Sequence, residues 1–256
     1  MAGLALVTGA SSGIGRAISR RLAIAGWDLA LNGRDQARLE ETARLCEPFA
    51  IKTRVIAQDL CRPEGARELW RRLEGAPVAA LVNNAGFTLC GPFAKTDGRR
   101  EEEMVRLHIC SMLELTKLAL EGMLARGKGH IVIIGSVYSF AAAPGQAVYG
   151  ATKAFLLNFT QSLAQELSGT GVKVTAVCPG STETELRSRA GVAARGPRGM
   201  SPEAVAEAAF RGMTAGQRLI VPGALNRVLV AFARHLPRTW VPFLVQRINR
   251  ARGLGA

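Results

Sequence analysis

The stretch LALVTGASSGIG, Leu4 to Gly15, decides the fold. LALVT is an apolar run of strand length, and it stops at a glycine. From Ile14 the apolar residues recur at helical spacing through Ala17, Ile18, Leu22 and Ala25. The segment therefore reads strand, glycine turn, helix. Gly9, Gly13 and Gly15 supply the freedom in φ that lets a backbone approach a phosphate closely. The helix that follows offers free N–H groups and the positive end of its dipole to a pyrophosphate. The spacing is GxxxGxG, not the more familiar GxGxxG, so a tight turn without a ligand stays open at this point.

The same alternation continues along the chain. DLALN (28–32) reads as a strand and QARLEETARLCE (36–47) as a helix, with Asp35 as its N-cap. TRVIAQDL (53–60) is the third strand, followed by a helix near 63–74. VAALVNNAG (78–86) runs from a fourth strand into a turn. A long helix is predicted over about 100–126, a strand over 129–136, a helix over 147–168 and a strand over 172–177. Ser201-Pro202-Glu203 is an N-cap, a first-turn proline and a first-turn acid. RLIVP (218–222) closes the series. Strands alternating with helices predict an α/β fold: a Rossmann-type, doubly wound parallel sheet of about seven strands with helices on both faces. Ligands of such sheets sit beyond the C-terminal strand ends.

Composition bounds the function. The chain has 256 residues, 48% hydrophobic, and a formal charge of +13. It contains no repeat, no secretion signal and no apolar run long enough to span a bilayer. Cys46, Cys61, Cys90, Cys110 and Cys178 follow no metal or disulfide spacing, so they read as small apolar residues in a reducing, cytoplasmic compartment. No metal site is expected. Asn158-Phe159-Thr160 matches the glycosylation triplet by chance in that setting. The excess charge is mostly arginine and dispersed, without a basic stripe interleaved with aromatics, so nucleic acid is not the expected partner.

Two positions carry more specific chemistry. Where a dinucleotide site selective for NAD has an acid after the second strand, this chain has Asn32, Gly33 and Arg34. An arginine there can hold a ribose 2′-phosphate, which favours NADP(H). In YGATK (149–153), Tyr149 and Lys153 lie one helical turn apart on one face. An ammonium beside a phenol is expected to lower the phenol pKa from its usual value near 10 and so fit it for proton transfer to a carbonyl oxygen. Ser136, at the end of the fifth strand, could bond the same oxygen.

TGASSGIG (8–15), NNAG (83–86), Ser136, YGATK (149–153) and Pro179-Gly180 fall in order after the expected strands. Together they resemble the short-chain dehydrogenase/reductase family in its form of about 250 residues, over roughly residues 3–223. The tail looks most like that of bacterial members with a basic, apolar end. The resemblance implies that Tyr149 is the general acid/base, that Lys153 tunes it and holds the nicotinamide ribose, and that Ser136 orients the substrate carbonyl. It implies that Gly9, Ser11, Ser12, Gly13, Ile14 and Gly15 wrap the pyrophosphate. Asp59 and Leu60 would meet the adenine, and Asn83, Ala85 and Gly86 would wall the adenosine and ribose. Pro179, Gly180, Thr182 and Thr184 would hold the carboxamide and diphosphate. One position departs: the family asparagine in a segment like LNV is His108 here, in LHI. That asparagine anchors a water in the proton path to the lysine. A histidine could carry the relay instead, and with it a pH dependence of the rate; the alternative is a histidine packed in a helix at a dimer contact.

The remaining segments concern the substrate. Residues 186–200 carry four arginines among glycines and small residues, which suits a lid greeting an anionic substrate tail or a solvated loop. After Gly223, Leu225, Val228, Leu229 and Phe232 form one apolar stripe. Trp240, Leu244, Val245 and Ile248 form a second, with six arginines and no acid in 224–256. The chain thus divides into a catalytic domain (1–223) and a basic amphipathic extension (224–256) interrupted by Pro237 and Pro242. That extension could cap a substrate pocket, meet a second subunit or lie on an anionic bilayer at the inner face of the membrane.

The expected function is an NADP(H)-dependent oxidoreductase interconverting a ketone and a secondary alcohol, reducing a lipophilic 3-oxoacyl, sphingoid or steroid-like carbonyl. The alternative is a dinucleotide-binding scaffold or membrane-surface protein without turnover. A homodimer or homotetramer, joined through the helices near 100–126 and 147–168, follows from the resemblance.

Overall fold

The structure is a computed structural model and describes residues 3–185, 199–237 and 239–251. Seven strands form one parallel sheet: β1 (Leu4–Thr8), β2 (Asp28–Gly33), β3 (Thr53–Ala57), β4 (Val78–Asn83), β5 (Gly129–Ile134), β6 (Val172–Val177) and β7 (Leu219–Ile220). Their order is β3-β2-β1-β4-β5-β6-β7. The order reverses between β1 and β4, whose pairing sets Leu6 beside Leu81 and Val7 beside Val82. Both neighbouring loops, after β1 and after β4, leave the sheet at that point.

Strand periodicity sorts the core into two layers. Ala5, Val7, Leu29 and Leu31 point to one face, where they meet Ile18 and Leu22 of α1 (Gly13–Ile24). Val205 and Ala209 of a helix starting at Pro202 complete that layer. Leu6, Ala30, Leu81 and Ile131 point to the other face. They meet α3 (Gly65–Arg71), α5 (Ser111–Ala125) and α6 (Ala147–Glu166). Most residues of the strands other than edge strand β3 are buried on one face or the other, which is why those strands read as continuous apolar runs.

Helix starts follow local chemistry. Asp35 accepts from the Arg38 N–H and opens α2 (Gln36–Arg44), as the sequence predicts. Ser201 accepts from the Ala204 N–H ahead of Pro202 and opens α7 (Pro202–Ala215). Asp97 opens α4 (Gly98–Val105) in the same way. The helix α1 differs: Ser12 precedes it in extended conformation, and no side chain caps its first turn.

The long helix expected over 100–126 is interrupted. Between α4 and α5, residues Arg106–Cys110 form a π-helical turn, with the Ser111 N–H reaching back to the Arg106 carbonyl. Such a turn holds one residue more than an α-turn, and it rotates His108 inward. Strands β3 and β5 also end three and two residues earlier than predicted, while β4 runs into a turn after Asn83 as expected. The residues beyond those ends bend away from the sheet to line a cleft. At the C-terminus, α8 (Ala224–His235) and α9 (Val241–Ala251) follow. Pro242 does not interrupt a helix: it stands in the first turn of α9, where a missing N–H costs nothing.

Candidate active site

The C-terminal ends of the strands open into one cavity of about 860 Å³. One end is walled by the glycine turn and Arg34, the other by α8 and α9. Its shape at the first end is set by close backbone approaches. Gly9, at φ +66°, has no room for a Cβ, which would stand 2.8 Å from the Ala85 Cα. A Cβ on Gly15 would meet the Gly9 carbonyl oxygen at 2.1 Å. Thr8 ties this turn to the β4 loop: its hydroxyl donates to the Val82 carbonyl and accepts from the N–H groups of Asn84 and Ala85, both at 3.0 Å.

Of the sequence-selected residues, all but Gly15 and Asn83 line this cavity. Gly15 serves it from beneath, by letting α1 pack on Gly9. The Asn83 side chain turns into the core and donates to Thr116 at 3.1 Å. Its neighbour Asn84 takes the cleft position, donating to the carbonyls of Thr8 and Gly9. The doublet in NNAG concealed which asparagine faces the cleft, because a strand alternates its side chains and only the strand end decides. The cavity walls also include Tyr138, Gln146 and Asn249. None of them belongs to a motif, and only chain folding brings Asn249 near. Of the arginine-rich segment 186–200, residues 186–198 lie outside the described residues.

Ser136, Tyr149 and Lys153 converge midway along the cavity. Ser136 starts the turn after β5, and α6 places Tyr149 and Lys153 on one face. All three are buried. The Lys153 ammonium donates to the Ile134 carbonyl at 2.8 Å and lies 5.6 Å from the centre of the Tyr149 ring. Burial pushes the Tyr149 phenol up to about 12, while a hydrogen bond with Ser136 pulls the other way. Burial brings the Lys153 ammonium down to about 8. The expectation that the amine lowers the phenol pKa is therefore corrected for the resting protein: desolvation dominates, and serine supplies the main opposing interaction.

His108 is fixed from both sides. The Thr152 hydroxyl donates to the Tyr149 carbonyl at 2.8 Å, so it can only accept from His108 Nδ1, 2.9 Å away. Nε2 then carries no proton and accepts from the Phe87 N–H at 3.2 Å. Gly86 makes room for the ring: a Cβ there would meet Nε2 at 2.7 Å. Burial, with the nearby Lys153 charge, holds the imidazole well below its usual pKa. Burial thus disfavours the charged imidazolium, and the neutral ring donates through one nitrogen and accepts through the other.

The glycine cradle and the uncapped start of α1 fit a dinucleotide pyrophosphate. Thr184 closes over Gly13, whose Cβ would stand 2.9 Å from its methyl group. The sequence matches the family model described as short chain dehydrogenase over residues 3–193. The chain belongs to that family. Sulfoacetaldehyde reductase 2 of Chromohalobacter salexigens is 40% identical over 191 residues, 73% of this chain and 75% of that protein. A short-chain dehydrogenase from Sphingobium yanoikuyae, solved in complex with NADPH, is 34% identical with a TM-score of 0.82, covering 97% of this chain and 94% of its own. The bulky-bulky ketone specific alcohol dehydrogenase from Comamonas testosteroni is 31% identical with a TM-score of 0.78, covering 98% and 92%. As a short chain dehydrogenase, this protein is an oxidoreductase acting between alcohol and carbonyl groups.

Proposed function

We propose that this short chain dehydrogenase reduces a bulky, apolar ketone to the secondary alcohol with NADPH. The observation that carries this reading is the position of Ser136, Tyr149 and Lys153 in one cavity, between a glycine-walled end and an apolar end. The apolar end is formed by Phe140, Leu225, Leu229, Phe232, Leu244 and Ile248. It suits a ketone with hydrophobic groups on either side of the carbonyl, of the 3-oxoacyl, sphingoid or steroid-like kind, and the likeness to the Comamonas enzyme supports the same class.

The nicotinamide cofactor supplies the hydride when bound. Gly9, Ser11, Ser12, Gly13 and Ile14 would hold its pyrophosphate, together with Thr182 and Thr184. Arg34, exposed and lining the cavity, would meet the 2′-phosphate. Asp59 and Leu60 would border the adenine, and Ala85, Gly86, Pro179 and Gly180 would complete the walls.

Tyr149 holds its proton at working pH, as reduction requires. As charge develops on the carbonyl oxygen, Ser136 donates a hydrogen bond to it and Tyr149 breaks its O–H bond to form the alcohol. The phenolate left behind is stabilised by the Lys153 charge, which stays in place because its pKa of about 8 lies above neutrality. The helices α8 and α9 act as the cap of the substrate end, and Asn226 of α8 supports this by packing against Gly180, where a Cβ would meet its side chain at 2.4 Å. A homo-oligomer is supported by the outer side of α6, where Phe155 and Phe159 stack and Phe155 stays exposed.

The test is NADPH oxidation with a panel of bulky apolar ketones and their small analogues. The reading expects turnover of the bulky set, and a loss of about 10²–10⁴ in kcat for Tyr149→Phe with dinucleotide binding retained. Bound NADPH with no turnover on any ketone would instead support a binding protein.

A further inference from the structure

Helices α8 and α9 wall one end of the cavity, and their apolar side chains are not confined to its lining. Leu225, Leu229, Phe232, Leu244 and Ile248 wall the cavity and remain 45–71% exposed. A ketone inside would cover them. It would not cover Val228, Trp240 and Phe243, which are 64%, 63% and 73% exposed and lie outside the cavity walls. Apolar side chains grouped in this way mark a surface that meets another phase or partner.

Charge selects the occupant. Arg227, Arg234, Arg247 and Arg250 are exposed on the same two helices. Residues 224–256 contain six arginines and no acid. A two-fold contact between copies would set these arginines against one another with no carboxylate from either helix to answer them. An anionic bilayer supplies both requirements at once: phosphates at headgroup depth and hydrocarbon beneath. None of the described helices is long and apolar enough to cross a membrane, so the contact lies in the interface plane.

We propose that α8 and α9 dock this enzyme on an anionic membrane surface, with Val228, Trp240 and Phe243 in the headgroup–acyl boundary and the cavity mouth open to the lipid. An apolar ketone then enters from the bilayer without crossing water. Only this delivery step rests on the proposed reductase reading; the docking does not.

The test is flotation of the full chain with vesicles of phosphatidylcholine alone or mixed with phosphatidylglycerol, with Trp240 emission followed in parallel. The expected result is binding on the order of ten-fold stronger to the anionic vesicles, weakened by added salt, with a blue-shifted emission. The double variant Val228→Glu/Phe243→Glu is expected to lose that binding while its circular dichroism and its NADPH oxidation with a water-soluble ketone stay as in the parent. No flotation, equal flotation with both vesicles, or undiminished binding of the variant overturns the proposal. So does a drop in oligomer mass confined to the variant, which would assign the patch to a second copy. Absent turnover with binding intact would sink the reductase reading and leave the docking standing.

Discussion

His108 Nδ1 lies 2.9 Å from the Thr152 hydroxyl, and that hydroxyl is already committed as a donor to the Tyr149 carbonyl. The direction of two hydrogen bonds thus fixes the tautomer of a third group. The ring braces the first turn of α6, which carries Tyr149, against the loop after β4. Burial disfavours the charged ring, and the expectation is that His108 positions its neighbours and does not titrate with the rate.

The consequence is a pH profile without an imidazole limb. Between pH 6 and 7, kcat/KM is expected to show no step belonging to His108. His108→Leu should lower kcat on the order of ten-fold and destabilise the fold by about 1–3 kcal/mol, the cost of stranding buried partners, yet leave the shape of the profile unaltered. Nitrogen NMR of the imidazole should report a proton on Nδ1 up to the lowest pH at which the protein stays folded. A titration near 6.5 in the folded state would refute the assignment.

Lys153 gives a stability signature of definite sign. Its folded pKa of about 8 lies below the 10.5 of the free side chain. Between those values the unfolded chain holds a proton that the folded protein has shed, so this group makes stability rise with pH, by about 3 kcal/mol at the upper end. Cys46, Cys61 and Cys178, each pushed up to about 11 by burial, act with the opposite sign above pH 9. The lysine contribution is therefore read as the difference between the wild type and Lys153→Met in denaturant unfolding. That difference should grow in favour of the wild type from pH 8 to 10. A constant difference would show that the ammonium is not desolvated.

The extent to which the cleft is legible in the chain follows from locality. The glycine turn, Asp35 and Ser201 could be read directly, because a turn or a cap depends on a few adjacent residues. The parallel sheet with helices on both faces followed from the alternation of strands and helices, whereas the strand order came only with the structure. Three further features could not be read. The π-helical turn at Arg106–Cys110 has no proline or glycine to mark it; it arises from the fit of His108 between Gly86 and Thr152, residues distant in sequence. The outward side of Asn84 depended on where β4 ends. The pKa of Tyr149 depended on burial, which one turn of helix does not reveal.

Cofactor choice is expected to turn on Arg34. Arg34→Asp should weaken NADPH by about 10–100-fold, as loss of a charge-assisted contact implies, while changing NADH far less. Titration of each dinucleotide by protein fluorescence checks this. Arg38, in the first turn of α2, is ion-paired with Glu185. Glu185→Gln should therefore tighten NADPH selectively by freeing a second guanidinium toward the phosphate. Equal changes for both dinucleotides would remove the arginine argument.

The last prediction concerns the tie between the cap and the catalytic loop. Tyr138 lies on the turn that begins at Ser136, and its hydroxyl donates to Asn249 Oδ1 of α9 at 2.7 Å. Asn249, almost fully buried, donates in turn to the Pro144 carbonyl at 3.0 Å. The Tyr138 ring meets Tyr149 edge-on at 6.3 Å. One amide thus holds the terminal helix, the serine turn and the loop before α6 together. Asn249→Leu breaks both bonds and should cost about 1–3 kcal/mol, or roughly 2–4 °C in melting temperature per kcal/mol for a chain of this size. Because α9 walls only the apolar end, the effect on catalysis should be uneven. KM for a bulky ketone should rise several-fold while kcat for a small one holds, and Tyr138→Phe, which breaks one bond, should show a weaker version of the same split. A parallel fall for small and bulky ketones would mean that Asn249 supports the fold as a whole and takes no part in fitting the substrate.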